Sequence, residues 1–359
     1  MKVLSFSLQE RQKIEQFIDF SWKVMSPGEW VPPIKDSLRN ELSDANSFFK
    51  RSKAHFFMVE DEKGEIQARL MAFIDNLAPR DIGFFGFYES CNNKEANQKL
   101  FSQAKEWFKK EGVREIQGPM NFNIYNNYRL MTKGFDKKPF VGEPRNPEYY
   151  PLLLENMGFE VLETWRSWDL PAEVISQIRK GVEKKRVGSP QEKYQVKIPD
   201  LSKLEEELKR IYPCAMEVFQ ENYNFTYIPL NEFLERFLSL RPFLIPGSFV
   251  VLEESSHQNP VGFTYGYVDP ADLLIQANGD GLKAQELLSK FGPEKMVLHT
   301  IGLHQDHRAK DAFYCLAHPL IQLADQFPQA IGALAKSGPT VYDKVGKPTR
   351  EYSVYCMKM

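Results

Sequence analysis

Between Met296 and Phe313 the chain reads MVLHTIGLHQDHRAKDAF, a stretch that gathers groups able to handle a proton or an anion: His299, His304, His307, Arg308 and Lys310. Val297, Ile301 and Leu303 share one parity and Met296 and Leu298 the other, which reads as a strand. His304-Gln305-Asp306-His307 then forms a polar turn, and from Arg308 the pattern becomes helical. A strand, a tight loop and a helix start leave backbone N–H groups unpaired at the positive end of the helix dipole. Such a terminus is a seat for phosphate.

The composition bounds what that seat can serve. At 359 residues with 42% apolar content the chain is long enough for two domains with ordinary cores. Its 46 basic and 48 acidic residues leave a net charge of −2, so no global field attracts nucleic acid. No apolar run approaches the roughly 20 residues of a membrane helix. The opening MKVLSFSLQERQKIEQF turns charged before a signal-peptide core could form, so a cytoplasmic chain without a membrane partner is expected. Cys91, Cys214, Cys315 and Cys356 are widely spaced with no metal-type pattern, so neither a disulfide framework nor a metal site is expected.

The elements that must position the stretch form a pattern written twice. Lys2 to Ser7 reads as a strand, Gln9 to Val24 and Ser37 to Phe49 as helices, and His55–Glu60 with Ile66–Asp75 as a hairpin. Ile82 to Tyr88 follows as a strand, then a helix from Lys94 to Glu111 and a strand over Arg114 to Gln117. After an irregular Asn- and aromatic-rich region from Gly118 to Pro147 come a helix over Tyr149 to Asn156 and a strand over Val161 to Leu170. Loops of that length are often binding surfaces, here a cleft cover or an interface.

The order restarts with a strand at Tyr194–Ile198, helices at Leu201–Asn222 and Leu230–Leu240, and a hairpin of Phe249–Glu254 with Pro260–Val268. Met296–Leu303 then takes the place of Ile82–Tyr88. Setting Phe87 on Leu303 lays Asn92-Asn93-Lys94-Glu95-Ala96 over Arg308-Ala309-Lys310-Asp311-Ala312. The expected division is an N-terminal domain over 1–170, a linker helix and basic linker over 171–192, and a C-terminal domain over 193–359.

This order resembles the GNAT superfamily of acyl-CoA N-acyltransferases in tandem arrangement. The fold class it implies is α/β (α+β), with two domains that are each a mixed, mostly antiparallel sheet flanked by helices. The family's pyrophosphate motif, roughly (Q/R)-x-x-G-x-(G/A), corresponds to Leu303-His304-Gln305-Asp306-His307-Arg308-Ala309-Lys310-Asp311-Ala312-Phe313. Arg308 and Lys310 match it, while Ala309, Asp311 and Phe313 stand where glycines are usual. The resemblance implies acetyl-CoA or another acyl-CoA as co-substrate, held by Leu303, His304, Arg308, Ala309, Lys310, Asp311 and Ala312.

A second family signature, Y-x-x-x-G-F, corresponds to Tyr342 through Gly346, with Lys347 in place of the aromatic. It implies that Tyr342 protonates the leaving thiolate. In the first domain Leu154 holds the tyrosine's place before Gly158-Phe159, so that copy is expected to be degenerate. The run Gly118-Pro119-Met120-Asn121-Phe122-Asn123 further resembles a bacterial GNAT-like group of unassigned function.

Acyl transfer to an amine requires a neutral amine, a held thioester carbonyl and a proton for the thiolate. His299 on the strand is the candidate base, with His304, His307, Glu253 and Glu254 as competitors. The expected function is acyl-CoA-dependent N-acylation of a small-molecule amine. The alternatives are a non-catalytic GNAT-like binding protein and an aminoacyl-tRNA-dependent aminoacyltransferase, the latter disfavoured by the balanced charge.

Overall fold

The computed structural model describes residues 1–186, 193–308, 310–338 and 340–359, with Lys310 described through its backbone alone. In chain order the first elements are β1 (Lys2–Phe6), α1 (Arg11–Val24), α2 (Lys35–Glu41), α3 (Phe48–Arg51), β2 (Ser52–Glu60), β3 (Ile66–Asp75), β4 (Ile82–Ser90) and α4 (Lys94–Lys110). Next come β5 (Glu115–Gly118), β6 (Leu130–Lys133), α5 (Tyr150–Glu155), β7 (Glu160–Pro171), α6 (Ala172–Arg186), β8 (Tyr194–Lys197), α7 (Leu204–Phe219) and α8 (Leu230–Leu238). The last are β9 (Phe249–Glu254), β10 (Pro260–Val268), α9 (Ala271–Ala277), α10 (Gly281–Leu288), β11 (Lys295–Leu303), α11 (Lys310–Ala324), β12 (Gln329–Lys336) and β13 (Arg350–Lys358).

Two compact units emerge. The first comprises residues 1–165, 271–291 and 350–359, and the second residues 166–270 and 292–349. In the first, β1, β2, β3 and β4 pair antiparallel in sequence order, β4 pairs parallel with β5, and β13 closes antiparallel on β5. In the second, β8, β9, β10 and β11 pair antiparallel in order, and β11 pairs parallel with β12. Three antiparallel pairings followed by one parallel pairing recur in both units, so the repeat read from the sequence is a repeat of topology.

The cores follow from the side chains. α1 turns Ile14, Phe17 and Ile18 inward, and α4 turns Ala96, Leu100, Phe101, Ala104 and Phe108 inward at helical spacing. Asn93 caps α4, accepting the Ala96 amide at 3.1 Å, and Gly112 ends it in the left-handed region at φ +80°. In the second unit Ala312, Cys315 and Leu316 of α11 pack on Val250, Leu252 and Leu303.

The unit boundaries depart from the sequence division in three places. The break falls after Trp165, inside β7, so α6 belongs to the second unit instead of forming a linker; residues 187–192 lie outside the described residues. Ala271–Phe291 joins the first unit, where Leu273, Ala277 and Ala284 cluster with Ile34, and the Trp22 indole donates to Asn278 at 3.0 Å. The C-terminal strand also returns to the first unit, where Tyr355 and Met357 enter its core.

Local differences are smaller. The helix expected over Ser37 to Phe49 divides into α2 and α3, and β6 lies inside the region read as irregular. The helix expected from Arg308 starts at Lys310, after one 3-10 turn at Gln305–His307.

Candidate active site

A parallel strand pair joined by a helix presents its useful end where the strands finish. The ladder between β11 and β12 runs from Lys295↔Gln329 to Leu298↔Gly332, although the strands continue to Leu303 and Lys336. Beyond that last pair no further rung joins them among the described residues. The two strands therefore form a wedge in which the facing backbone groups are not consumed by each other. His299 is the first residue past the apex. It is also the extra residue of a bulge, because Thr300 pairs with Tyr265 of β10 and Leu298 with Gly266.

The first unit repeats this geometry but fills it. The β4–β5 ladder ends at Phe84↔Gln117, and the register of β4 against β3 shifts a few residues further on, between Gly86 and Glu89. Here the chain after β5 turns back over β4. The Met120 amide donates to the Phe85 carbonyl at 2.8 Å, and Asn121 Oδ1 accepts the Phe87 amide at 2.7 Å. A Cβ added at Gly86 would overlap the Met120 carbonyl, so the approach requires glycine. The corresponding wedge of the second unit has no such insert among the described residues.

His299 is held on the side of the sheet facing α7 and α8. Its ring stacks on Tyr265 with centroids 5.2 Å apart, and Nδ1 lies 3.0 Å from the Tyr265 hydroxyl and 2.9 Å from Thr300 Oγ1. The other histidines are tied elsewhere. His304 Nδ1 accepts the Asp306 amide at 3.3 Å, which leaves Nε2 to carry the proton toward Glu217, 3.1 Å away. His307 Nδ1 lies 3.2 Å from the Tyr194 hydroxyl.

Tyr342 approaches the wedge from the other face. Its half-buried ring lies over Gly332, where an added Cβ would sit 2.6 Å from Cζ, and beside Trp168 at 5.2 Å. It packs with Leu298 and Leu320. Burial pushes its hydroxyl up to about 12, so the proton stays on the oxygen at ordinary pH. His299 and Tyr342 thus flank the apex from opposite faces and do not touch within one pocket.

The expected anion seat carries more negative charge than its motif implies. The Arg308 guanidinium pairs with Glu221 at 2.5 Å and donates to the Leu303 carbonyl at 3.3 Å, while His304 sits between Glu217 and Asp306. Asp311 occupies the first turn of α11, where it meets the helix dipole itself. Leu303 and Ala312 are buried in the core beneath. Ala309 and the Lys310 side chain lie outside the described residues.

Sequence reasoning passed over Tyr265, Glu217 and Glu221, and it named Asn121 within a motif without foreseeing that its side chain accepts the Phe87 amide. Tyr265 had a signal, since Phe263, Tyr265 and Tyr267 alternate along β10 opposite the histidine strand. Glu217 lies in the last turn of α7, and Glu221 two residues past its end, where no local pattern marks it. It also passed over the buried network of the first unit, where Tyr150 donates to Glu89 at 2.6 Å and accepts the Ser90 amide at 2.7 Å. Burial raises Glu89 above the usual carboxylate range, against Arg69 at 3.9 Å and hydrogen bonds from Tyr150 and Ser21. Among the described residues no group of three or more His, Cys, Asp and Glu side chains could hold a metal, and all four cysteines are free thiols.

Architecture and site together define the class: a tandem GNAT fold, with the doubled sheet order and the splayed parallel pair in the second copy. A tandem GNAT protein of the clavulanic acid biosynthesis pathway superposes with a TM-score of 0.56 at 9% identity, covering 99% of this chain and 98% of that one. A conserved protein of unknown function from Enterococcus faecalis V583, described as a probable N-acyltransferase, gives 0.54 at 9% identity, covering 99% and 72%.

In sequence, Protein YghO of Escherichia coli is 24% identical over 267 residues, which is 70% of this chain and 64% of that protein. The bacterial ceramide synthase of Caulobacter vibrioides is 22% identical over 209 residues, or 55% and 52%. The matches thus span less than two thirds of either relative's length, and no family model matches the chain. Among the described residues no helix is long and apolar enough to cross a membrane.

Proposed function

We propose that the second unit is an acyl-CoA-dependent N-acyltransferase acting on a small amine. The observation that carries this reading is the wedge between β11 and β12, open in the second unit and stitched shut by Met120 and Asn121 in the first. An open wedge offers fixed backbone donors and acceptors to an extended thioester, which a closed ladder cannot. In this role His299 takes the amine proton, directly or through the Tyr265 hydroxyl. The amine nitrogen attacks the thioester carbonyl, a C–N bond forms, the C–S bond breaks, and Tyr342 supplies the thiolate's proton. Arg308 would hold phosphate after exchanging Glu221, an exchange made inexpensive because the pair is exposed.

Titration of acetyl-CoA and longer acyl-CoAs into the intact chain by calorimetry tests the donor side. Micromolar binding that weakens in Arg308→Ala is expected. Absence of heat at millimolar donor would leave the non-catalytic binding protein as the better reading, since the acids around Arg308 already favour it.

A further inference from the structure

The register of β10 and β11 gathers three polar side chains just past the apex of the second unit's wedge. Tyr265 and Thr300 are direct partners across the antiparallel ladder, so their side chains leave the sheet on one face. Neighbours along a strand ordinarily point to opposite faces, but His299 is the extra residue of the bulge, and its ring turns to the face of Thr300. His299 Nδ1 thus meets two hydroxyls, Tyr265 Oη at 3.0 Å and Thr300 Oγ1 at 2.9 Å. Thr264 braces the bulge by donating its own hydroxyl to the Thr300 carbonyl at 2.7 Å.

The hydrogens of this triangle have few places to go. Tyr265 is buried, and burial raises its hydroxyl above the ordinary range against smaller pulls from the Thr300 hydrogen bond and Arg236. The phenolic oxygen therefore keeps its hydrogen and needs an acceptor for it. A bare Nδ1 supplies one, and both hydroxyls can then donate within the triangle. A hydrogen on Nδ1 would instead force one of the three hydrogens out of it.

We propose that Thr300 is a positioning residue which, with Tyr265, holds neutral His299 with its hydrogen on Nε2 and its basic lone pair on Nδ1. For the acyltransfer reading, on which this consequence rests, the direct route for the amine proton closes, since Nε2 already carries a hydrogen. The proton travels through Tyr265: the phenolic hydrogen passes to Nδ1 as the phenolic oxygen takes a hydrogen from the ammonium. An N–H bond of the ammonium breaks, an Nδ1–H bond forms, and the Tyr265 hydroxyl is restored beside an imidazolium. Thr300 exchanges nothing in this step and keeps ring and phenol in line.

Nitrogen NMR of the intact chain with isotope-labelled histidine, read above the ordinary imidazole range and without donor or amine, tests the assignment apart from catalysis. His299→Asn identifies the His299 signals among those of the six histidines. A bare Nδ1 and a protonated Nε2 are expected in the unaltered chain. Thr300→Val should draw the two nitrogen shifts toward each other as the ring samples both tautomers, and Thr300→Ser, which keeps the hydroxyl, should return them. Thr300→Ala provides the same loss should the valine variant fold poorly. A hydrogen on Nδ1 in the unaltered chain would overturn the proposal, as would unchanged shifts once the Thr300 hydroxyl is gone. The acyltransfer reading fails separately: no acetyl-CoA binding beside an intact Nε2–H spectrum would sink it and leave His299 held as proposed.

Discussion

At the residue scale the proposed chemistry is tested at Tyr342 and at the Arg308–Glu221 pair. If Tyr342 protonates the leaving thiolate, Tyr342→Phe should lower kcat about a hundredfold with KM for the amine unchanged. A tyrosine that merely packs on Gly332 and Trp168 would lose almost nothing in that substitution. Because burial raises its hydroxyl to about 12, the acid form persists across the working range, and no loss of kcat from this group is expected below about pH 11. The linkage sign agrees: the folded state holds the proton more tightly, so this group's stabilisation is complete below its ordinary value near 10 and fades as pH rises toward about 12. At the anion seat, Glu221→Ala should tighten acyl-CoA binding about twofold to fivefold at low salt by releasing Arg308, an effect that salt should erase. Unchanged affinity in that variant would remove Arg308 from the donor site.

At the element scale the two wedges differ through one short segment. Asn121→Ala deprives the Phe87 amide of its acceptor and should cost about 1–3 kcal/mol of stability, measured by urea unfolding, with no change in acyl transfer. A fall in turnover at unchanged stability would move the site to the first unit. Much of this scale was legible in the sequence: the apolar runs of β2, β3, β9 and β10 between turn residues and the helical faces of α1 and α4 announce themselves locally. β12 does not, because QAIGALAK carries alanine and glycine where strands usually show β-branched residues. The bulge at His299 and the end of the β11–β12 ladder were also invisible, since both are properties of register between segments and not of either segment alone. The motif residues were visible one by one. That Arg308 faces Glu221, and that His299 faces Tyr265, depended on α7 and β10 arriving from elsewhere in the chain.

For the whole molecule, the repeat was readable as an order of elements, and its division was not. No local pattern could state that β13 pairs with β5, more than two hundred residues earlier, or that α9 and α10 leave the second unit to cover Ile34 and Trp22. A consequence follows for dissection. A fragment of residues 1–165 lacks β13, uncovers the β5 edge, and loses Tyr355 and Met357 from its core, so it should aggregate or unfold when expressed alone. A soluble fragment with a cooperative melt would contradict the unit assignment.

Hydrogen–deuterium exchange of the intact chain with and without saturating acetyl-CoA bears most directly on the claim that the open wedge is the reaction site. Protection is expected in peptides covering 299–308 and 332–338, the two edges of the wedge, with none in the corresponding peptides 85–95 and 118–127 of the first unit. Protection confined to the first-unit peptides, or unchanged exchange throughout at millimolar acetyl-CoA, would contradict it.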